Sequence, residues 1–175
     1  MAGFLAGIPP MVIGGSIISV VSLILHIVGF ATTYWYWHNY NGSIIYHFGL
    51  WKSCQQLGEI QLCNYITDQH NNYLTAAEVI ESLALGAFLA AQISALLKVF
   101  VLKKQRILFI VTGLLNFVAG ALTLVGVIVF ATMRLAGQIQ LDGHFNFSFG
   151  LCIVGGIGGV CSGVVFILAW RWVKD

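Results

Sequence analysis

Charge is the property that this sequence has least of. Only 8% of its 175 residues are Asp, Glu, Lys or Arg, against about 25% in an ordinary soluble domain. In contrast, 59% are hydrophobic, the mean hydropathy is +0.91, and no charged residue precedes Lys52. The formal net charge of +2 gives no electrostatic reason to expect a nucleic-acid partner. The composition is that of a membrane protein, and the first expected partner is the lipid bilayer.

Motifs for catalysis are also missing. The sequence has no Gly-rich phosphate loop, no nucleophile elbow and no paired carboxylates within an apolar run, and these are patterns from which an enzyme is inferred. No standard zinc-ligand spacing occurs either. We therefore expect no enzymatic activity, no cofactor and no bound metal.

Four apolar stretches are long enough to cross the roughly 30 Å hydrocarbon core of a bilayer. The first lacks the basic leading region of a cleaved signal peptide, so we expect it to remain as a span. The chain is predicted to form one domain over residues 1–175. Its spans are predicted at about 11–31, 82–102, 107–133 and 147–170, with longer loops at about 32–81 and 134–146.

Basic residues predict the orientation of these spans, because they concentrate in cytoplasmic segments. The connection between the second and third spans and the C-terminal end carry six basic residues against the single acid Asp175: Lys98, Lys103, Lys104, Arg106, Arg171 and Lys174. Both termini are therefore expected in the cytoplasm, and the two longer loops are expected outside the cell.

The first outer loop has the composition of β-strands. Residues 32–40 and 43–51 are rich in Thr, Tyr, Trp and Ile, and the Asn41-Gly42 pair between them is a strong hairpin signal. A small antiparallel sheet is predicted here. Asn41-Gly42-Ser43 also matches the N-glycosylation sequon, which makes Asn41 a candidate glycan site.

Two cysteines, Cys54 and Cys63, follow in the same loop. In the oxidising compartment that this loop is expected to face, they favour a disulfide. Two free thiols, or a metal site with His47 and His70 as further ligands, are the alternatives.

Small and acidic residues in or near the spans predict how the helices pack. Gly155, Gly159 and Gly163 recur every four residues, so they allow close approach of another helix, either in this bundle or in a neighbouring protein. Glu78 and Glu81 fall at the predicted outer start of the second span. Negative charge there suits the positive end of the helix dipole.

One combined pattern resembles the claudin superfamily, which includes claudins, peripheral myelin and epithelial membrane proteins, and channel gamma subunits. The pattern is a Trp near the end of the first span, a Gly-Leu-Trp run and two cysteines, found here as Trp35 (or Trp37), Gly49, Leu50, Trp51, Cys54 and Cys63. The resemblance implies an all-α membrane protein, a left-handed bundle of four transmembrane helices with a small extracellular β-sheet. It also implies that the second outer loop adds a strand and that the two tryptophans and Gly-Leu anchor the sheet at the membrane surface.

The resemblance further implies a role at cell–cell contacts of the plasma membrane, where the outer loops contribute to a paracellular barrier or to adhesion. Phe145 and Phe147 are candidate contacts with neighbouring molecules, and Glu59 and Asp68 are candidate charges along an ion pathway. Self-association or a neighbouring membrane protein is the expected partner. The alternative is an auxiliary subunit of an ion channel or receptor. The final residues lack the valine motif that PDZ scaffolds bind, so no such scaffold is expected.

Overall fold

Four long helices make up most of the protein. The computed structural model describes residues 9–40, 44–66, 72–101, 105–136 and 143–172. The helices are α1 (Pro10–Ala31), α2 (Asn72–Phe100), α3 (Ile107–Leu135) and α4 (Phe147–Trp172). All four are long and apolar enough to cross a membrane, since even the 22 residues of α1 extend about 33 Å at 1.5 Å per residue. The chain is a multi-pass membrane protein, as its composition predicts.

Helix α2 begins at Asn72, whereas hydropathy places the second span at about 82–102. Residues 72–81 are too polar to score as part of a span, yet they continue the helix toward the sheet. Leu74 and Ala77 are buried there in the apolar cluster beneath the sheet. Packing against the sheet therefore stabilises a helical segment that lipid alone does not explain.

The inner surface of the bundle consists largely of small and polar side chains. Helix α4 packs against α1 and α3, α3 packs against α2, and the contact between α1 and α2 is less extensive than these three. The buried positions of α1 are Val12, Gly15, Ser19, Ser22, His26 and Gly29. Lipid tails solvate large apolar side chains well, so close backbone approach and interhelical hydrogen bonds hold such helices together.

Hydrogen bonds between side chains connect the first three helices. The Ser19 hydroxyl of α1 donates to Asn116 Oδ1 of α3 at 2.6 Å and accepts from Gln92 Nε2 of α2 at 2.5 Å. The Thr112 hydroxyl of α3 donates to Ser94 Oγ of α2 at 3.0 Å. These polar groups are therefore satisfied inside the bundle, where no water competes for them.

A five-stranded antiparallel sheet sits at one end of the bundle. Its strands are β1 (Tyr36–Tyr40), β2 (Ile44–Phe48), β3 (Lys52–Leu57), β4 (Ile60–Tyr65) and β5 (His144–Phe145). Their order is β4-β3-β2-β1-β5. The first loop supplies four strands and the second loop supplies β5, which pairs Phe145 with Tyr36. The predicted sheet and its additional strand are confirmed.

The main apolar cluster lies between the sheet and the neighbouring helices. Trp35 and Leu50 are fully buried in it together with Phe130 and Met133 of α3. The rings of Trp35 and Phe130 are 4.8 Å apart between centroids. This cluster fixes the position of the sheet on the bundle.

Candidate functional site

Two tryptophan side chains tie the sheet to the end of α1. The last carbonyls of a helix have no donors within the helix. The Trp35 indole N–H donates to the carbonyl of Gly29 at 2.7 Å, and the Trp51 indole N–H donates to the carbonyl of Phe30 at 3.1 Å. Both residues of the sequence pattern thus satisfy backbone groups near the membrane boundary, where leaving them unpaired is costly.

Gly49 lies where the sheet crosses the segment that follows α1. A Cβ on Gly49 would overlap the carbonyl oxygen of Thr32 and lie 2.8 Å from the Cα of Thr33. Leu50 is fully buried beneath the sheet, and Trp51 makes the hydrogen bond described above. Each residue of the Gly-Leu-Trp run therefore has its own role: close approach, burial and attachment.

Cys54 and Cys63 face each other across the β3–β4 ladder. A disulfide joins them, with their Cα atoms 4.1 Å apart. His47, considered above as a metal ligand, contacts the Thr33 hydroxyl at 3.3 Å, and His70 lies outside the described residues. With the two sulfurs bonded to each other, the structure favours the disulfide over the metal site.

Strand β4 forms an exposed apolar edge of the sheet. Leu57 and Ile60 are paired across the β3–β4 hairpin and share a face with Leu62. These three side chains are 49%, 65% and 60% exposed, respectively. An exposed sheet edge is a template for pairing with another chain, and exposed apolar side chains that cluster indicate an interaction surface. We call Leu57, Ile60 and Leu62 the β4 patch.

The two aromatic residues predicted as contacts of the second loop differ in their surroundings. Phe145 is half-buried and stacks on Phe149 of its own chain, with ring centroids 4.3 Å apart. Phe147 is 50% exposed, and its ring lies 5.2 Å from that of Tyr34. Phe147 is therefore the better placed of the two to contact another molecule, whereas Phe145 packs against the sheet.

The candidate pathway charges and the glycan site are only partly described. Glu59 is exposed in the turn between β3 and β4. It follows Gly58, whose φ of +57° is a backbone conformation that favours glycine. Asp68 and Asn41 lie outside the described residues. Glu59 is thus adjacent in sequence to the β4 patch.

The three glycines of α4 face different helices of the same bundle, and all three are buried. A Cβ on Gly155 would lie 3.0 Å from the backbone oxygen of Ser22 in α1, and one on Gly163 would lie 2.7 Å from that of Gly113 in α3. A Cβ on Gly159 would lie 2.8 Å from an aromatic ring of α2. Their arrangement serves packing within this chain rather than a single external partner.

One polar cluster inside the bundle has no signature in the sequence. His26 of α1, Glu81 of α2 and Cys152 of α4 are buried, and their side-chain donor atoms lie within 4.8 Å of one another. The expected effect of the helix dipole does not apply to Glu81, because Glu81 follows Asn72, where α2 begins, by about 13 Å of helix. No spacing in the sequence links these three residues, and only the packing of the helices brings them together.

Comparison with known families decides the assignment. The model of the PMP-22/EMP/MP20/Claudin family matches residues 10–169, from the start of α1 almost to the end of α4. The chain belongs to this family. No individual curated protein matches the sequence, so the family model carries the assignment. The resemblance inferred from the tryptophans, the Gly-Leu-Trp run and the two cysteines is confirmed, and the claudin-family fold of four spans and a small sheet is present.

Proposed function

We propose that this claudin-family protein acts at contacts between cells, where its sheet contributes to a paracellular barrier or to adhesion. The observation that carries the proposal is the β4 patch, an apolar surface on the β3–β4 hairpin at the edge of the sheet. Such an edge suits pairing with a strand of a neighbouring molecule, because backbone hydrogen bonds and side-chain contacts form together.

The distribution of basic residues supports an extracellular position for the sheet. Lys98 and Arg106 lie at the opposite end of the bundle, where the Lys98 ammonium is 4.6 Å from the centroid of the Phe109 ring. Arg106 donates a hydrogen bond to the carbonyl of Trp170 at 3.0 Å. Because basic residues favour the cytoplasmic side, this end and both termini belong in the cytoplasm, with the sheet outside the plasma membrane.

The disulfide supports the same orientation. Disulfides persist in oxidising compartments, and the Cys54–Cys63 bond cross-links the two strands that form the patch. It therefore restrains the hairpin on which the proposed contact depends. A restrained hairpin loses less conformational freedom on binding, which favours affinity.

The second candidate is an auxiliary subunit that binds an ion channel or receptor. The same patch would then contact the extracellular part of that partner within one membrane. The two functions differ in where the second molecule lies, on the opposing cell or beside this chain.

Imaging of cell contacts separates the two functions. The protein, fused to a fluorescent reporter, is expressed in cells without junctions, and these cells are mixed with cells that express nothing. The proposal expects the protein to concentrate only at borders between two expressing cells. Uniform surface distribution, together with co-purification of one channel or receptor, would instead establish the auxiliary role.

A further inference from the structure

Glu81 is a carboxylate buried inside the bundle. Its side chain is fully inaccessible to solvent, and neither carboxylate oxygen accepts a hydrogen bond from the part of the chain that the structure describes. The nearest basic atom is Nδ1 of His26, 3.6 Å from Oε2. That separation exceeds the 2.7–3.2 Å of a good hydrogen bond. An ionisable group in this position is costly unless something compensates it.

The backbone leaves room for this group and for a neighbouring thiol. A Cβ on Gly126 of α3 would lie 2.5 Å from Oε1 of Glu81. A Cβ on Gly29 of α1 would overlap the Sγ of Cys152. Gly29 of α1 and Gly126 of α3 therefore leave space for the Cys152 sulfur and the Glu81 carboxyl group, two side-chain groups that can coordinate a metal.

The contacts of His26 indicate which ring nitrogen carries the proton. Nε2 lies 3.3 Å from the backbone carbonyl oxygen of Glu81, which can only accept, so Nε2–H donates there. Nδ1 of the neutral ring then holds a lone pair. It faces the Glu81 carboxylate and lies 3.3 Å from the Thr123 hydroxyl, which itself donates to the Ala119 carbonyl at 3.0 Å. The Nδ1 atom of His26 and the carboxyl group of Glu81 thus face each other across 3.6 Å.

We propose that His26, Glu81 and Cys152 form a zinc site inside the membrane-spanning bundle. Imidazole nitrogen, carboxylate oxygen and thiolate sulfur are the ligands that Zn²⁺ takes, at about 2.0–2.3 Å. Donor atoms around a tetrahedral zinc ion are then about 3.3–3.6 Å apart. The 3.6 Å between Nδ1 and Oε2 lies at the upper end of that spacing, and the Cys152 sulfur, within 4.8 Å of the other two ligand atoms, would move inward by about 1 Å.

The charge of the donor set fits a divalent ion. One carboxylate and one thiolate cancel the two positive charges of Zn²⁺, and the imidazole is neutral. On binding, the Cys152 thiol and the Glu81 carboxyl group each release their proton to solvent, and the sulfur and a carboxylate oxygen form bonds to zinc. The resulting centre has no net charge, which suits a medium in which an isolated charge is strongly disfavoured.

The buried surroundings argue against access by a substrate, and three protein ligands leave the fourth position of a tetrahedral zinc ion to a water molecule. All three ligands are buried, and the His26 ring lies 5.4 Å from the ring of Phe88 and 6.0 Å from that of Phe30 between centroids. Such a site encloses its metal and contributes to folding. Zinc would be bound as the helices assemble and would join α1, α2 and α4 about 8 Å below the end of α1 that carries the sheet.

Metal analysis of the purified protein tests this inference. The full chain is produced in zinc-containing medium, purified in detergent through a tag without histidines, and washed with a chelator. The proposal expects about one zinc per chain, reduced at least tenfold in Cys152→Ser, His26→Gln and Glu81→Gln. Cys161→Ser is the matched control, because Cys161 is an exposed thiol of the same helix, and this variant must retain its zinc.

Cobalt provides a second readout that does not depend on zinc purity. Protein produced with Co²⁺ is expected to show a thiolate-to-metal absorption band that disappears in Cys152→Ser and persists in Cys161→Ser. Helix content by circular dichroism establishes that each variant is folded, and Glu81→Gln keeps the size of the side chain if serine does not support folding. Wild-type protein without metal, or equal metal in folded wild-type and Glu81→Gln protein, would overturn the proposal.

Discussion

The indole of Trp35 donates a hydrogen bond to the backbone carbonyl of Gly29 at 2.7 Å. The same glycine, having no Cβ, also leaves space for the sulfur of Cys152 inside the bundle. One residue of α1 therefore connects the anchor of the sheet to the buried polar cluster. We therefore expect a substitution at Trp35 to displace the Cys152 side chain, and a substitution at Cys152 to displace Trp35, because packed interiors transmit small displacements.

Removing the hydrogen bond of Trp35 should destabilise the fold even when an aromatic ring still fills its position in the apolar cluster. Trp35→Phe retains a ring but leaves the Gly29 carbonyl with only the longer 3.5 Å hydrogen bond from the Thr32 hydroxyl, so we expect a loss of about 1–3 kcal/mol. Denaturation in mixed detergent measures the free energy of unfolding. Trp170→Phe, at an exposed position of α4, is the control and should change stability by less than about 0.5 kcal/mol. Equal effects of the two substitutions would contradict the anchoring role.

The packing of α4 predicts opposite results for two glycines of that helix. A Cβ on Gly163 would lie 2.7 Å from the Gly113 carbonyl oxygen and 2.8 Å from the Phe117 nitrogen. Gly163→Ala should therefore cost about 1–3 kcal/mol. A Cβ on Gly150 meets no atom within 4 Å, so Gly150→Ala should be neutral or slightly stabilising. Thermal unfolding of the two variants in one detergent compares them directly.

The sequence predicts the spans and the sheet well because both rest on local patterns. The apolar runs, the Asn41-Gly42 turn signal and the strand composition are each read within about ten residues. The start of α2 is missed because residues 72–81 are polar by composition and helical through their contact with the sheet. Hydropathy cannot register that contact, which depends on tertiary packing.

Residues of the candidate site can be predicted from the sequence only where they belong to a short sequence motif. Trp35 and the Gly-Leu-Trp run are found from the sequence because they recur as a motif. The pair of His26 and Glu81 is not, since the two residues are 55 positions apart and meet only through the packing of α1 against α2. Similarly, nothing local distinguishes Phe145, which packs inward, from Phe147, which is exposed.

Labelling of thiols in intact cells tests the disulfide and the orientation of the sheet together. A membrane-impermeant maleimide should react with Cys54 and Cys63 only after treatment with an impermeant reductant. Cys152 and Cys161 lie within α4, so they should stay unlabelled. The double variant Cys54→Ser with Cys63→Ser should show no labelling in either condition. Labelling without reductant would mean free thiols, and labelling only after permeabilisation would place the sheet on the cytoplasmic side.

If the sheet lines an ion pathway, its acidic residues should favour cations, because negative groups at a narrow passage attract them. The double variant Glu59→Gln with Asp68→Asn should lower the cation-to-anion permeability ratio of a cell layer that expresses the protein. Asp175→Asn, at the expected cytoplasmic end, is the control and should leave the ratio unchanged. A constant ratio in the double variant, with normal surface delivery, would favour a barrier, adhesive or auxiliary role.

The most direct test of a contact function places one charge on the β4 patch. Leu62→Lys introduces an ammonium on the apolar face of the edge strand, and charged side chains on edges oppose strand pairing. Asn39→Lys adds the same charge at an exposed position of β1. For Leu62→Lys, enrichment at borders between two expressing cells should fall to the level seen when only one of the two cells expresses the protein. It should stay at the wild-type level for Asn39→Lys. Full enrichment of Leu62→Lys at normal surface density would contradict the assignment of the β4 patch as the contact surface.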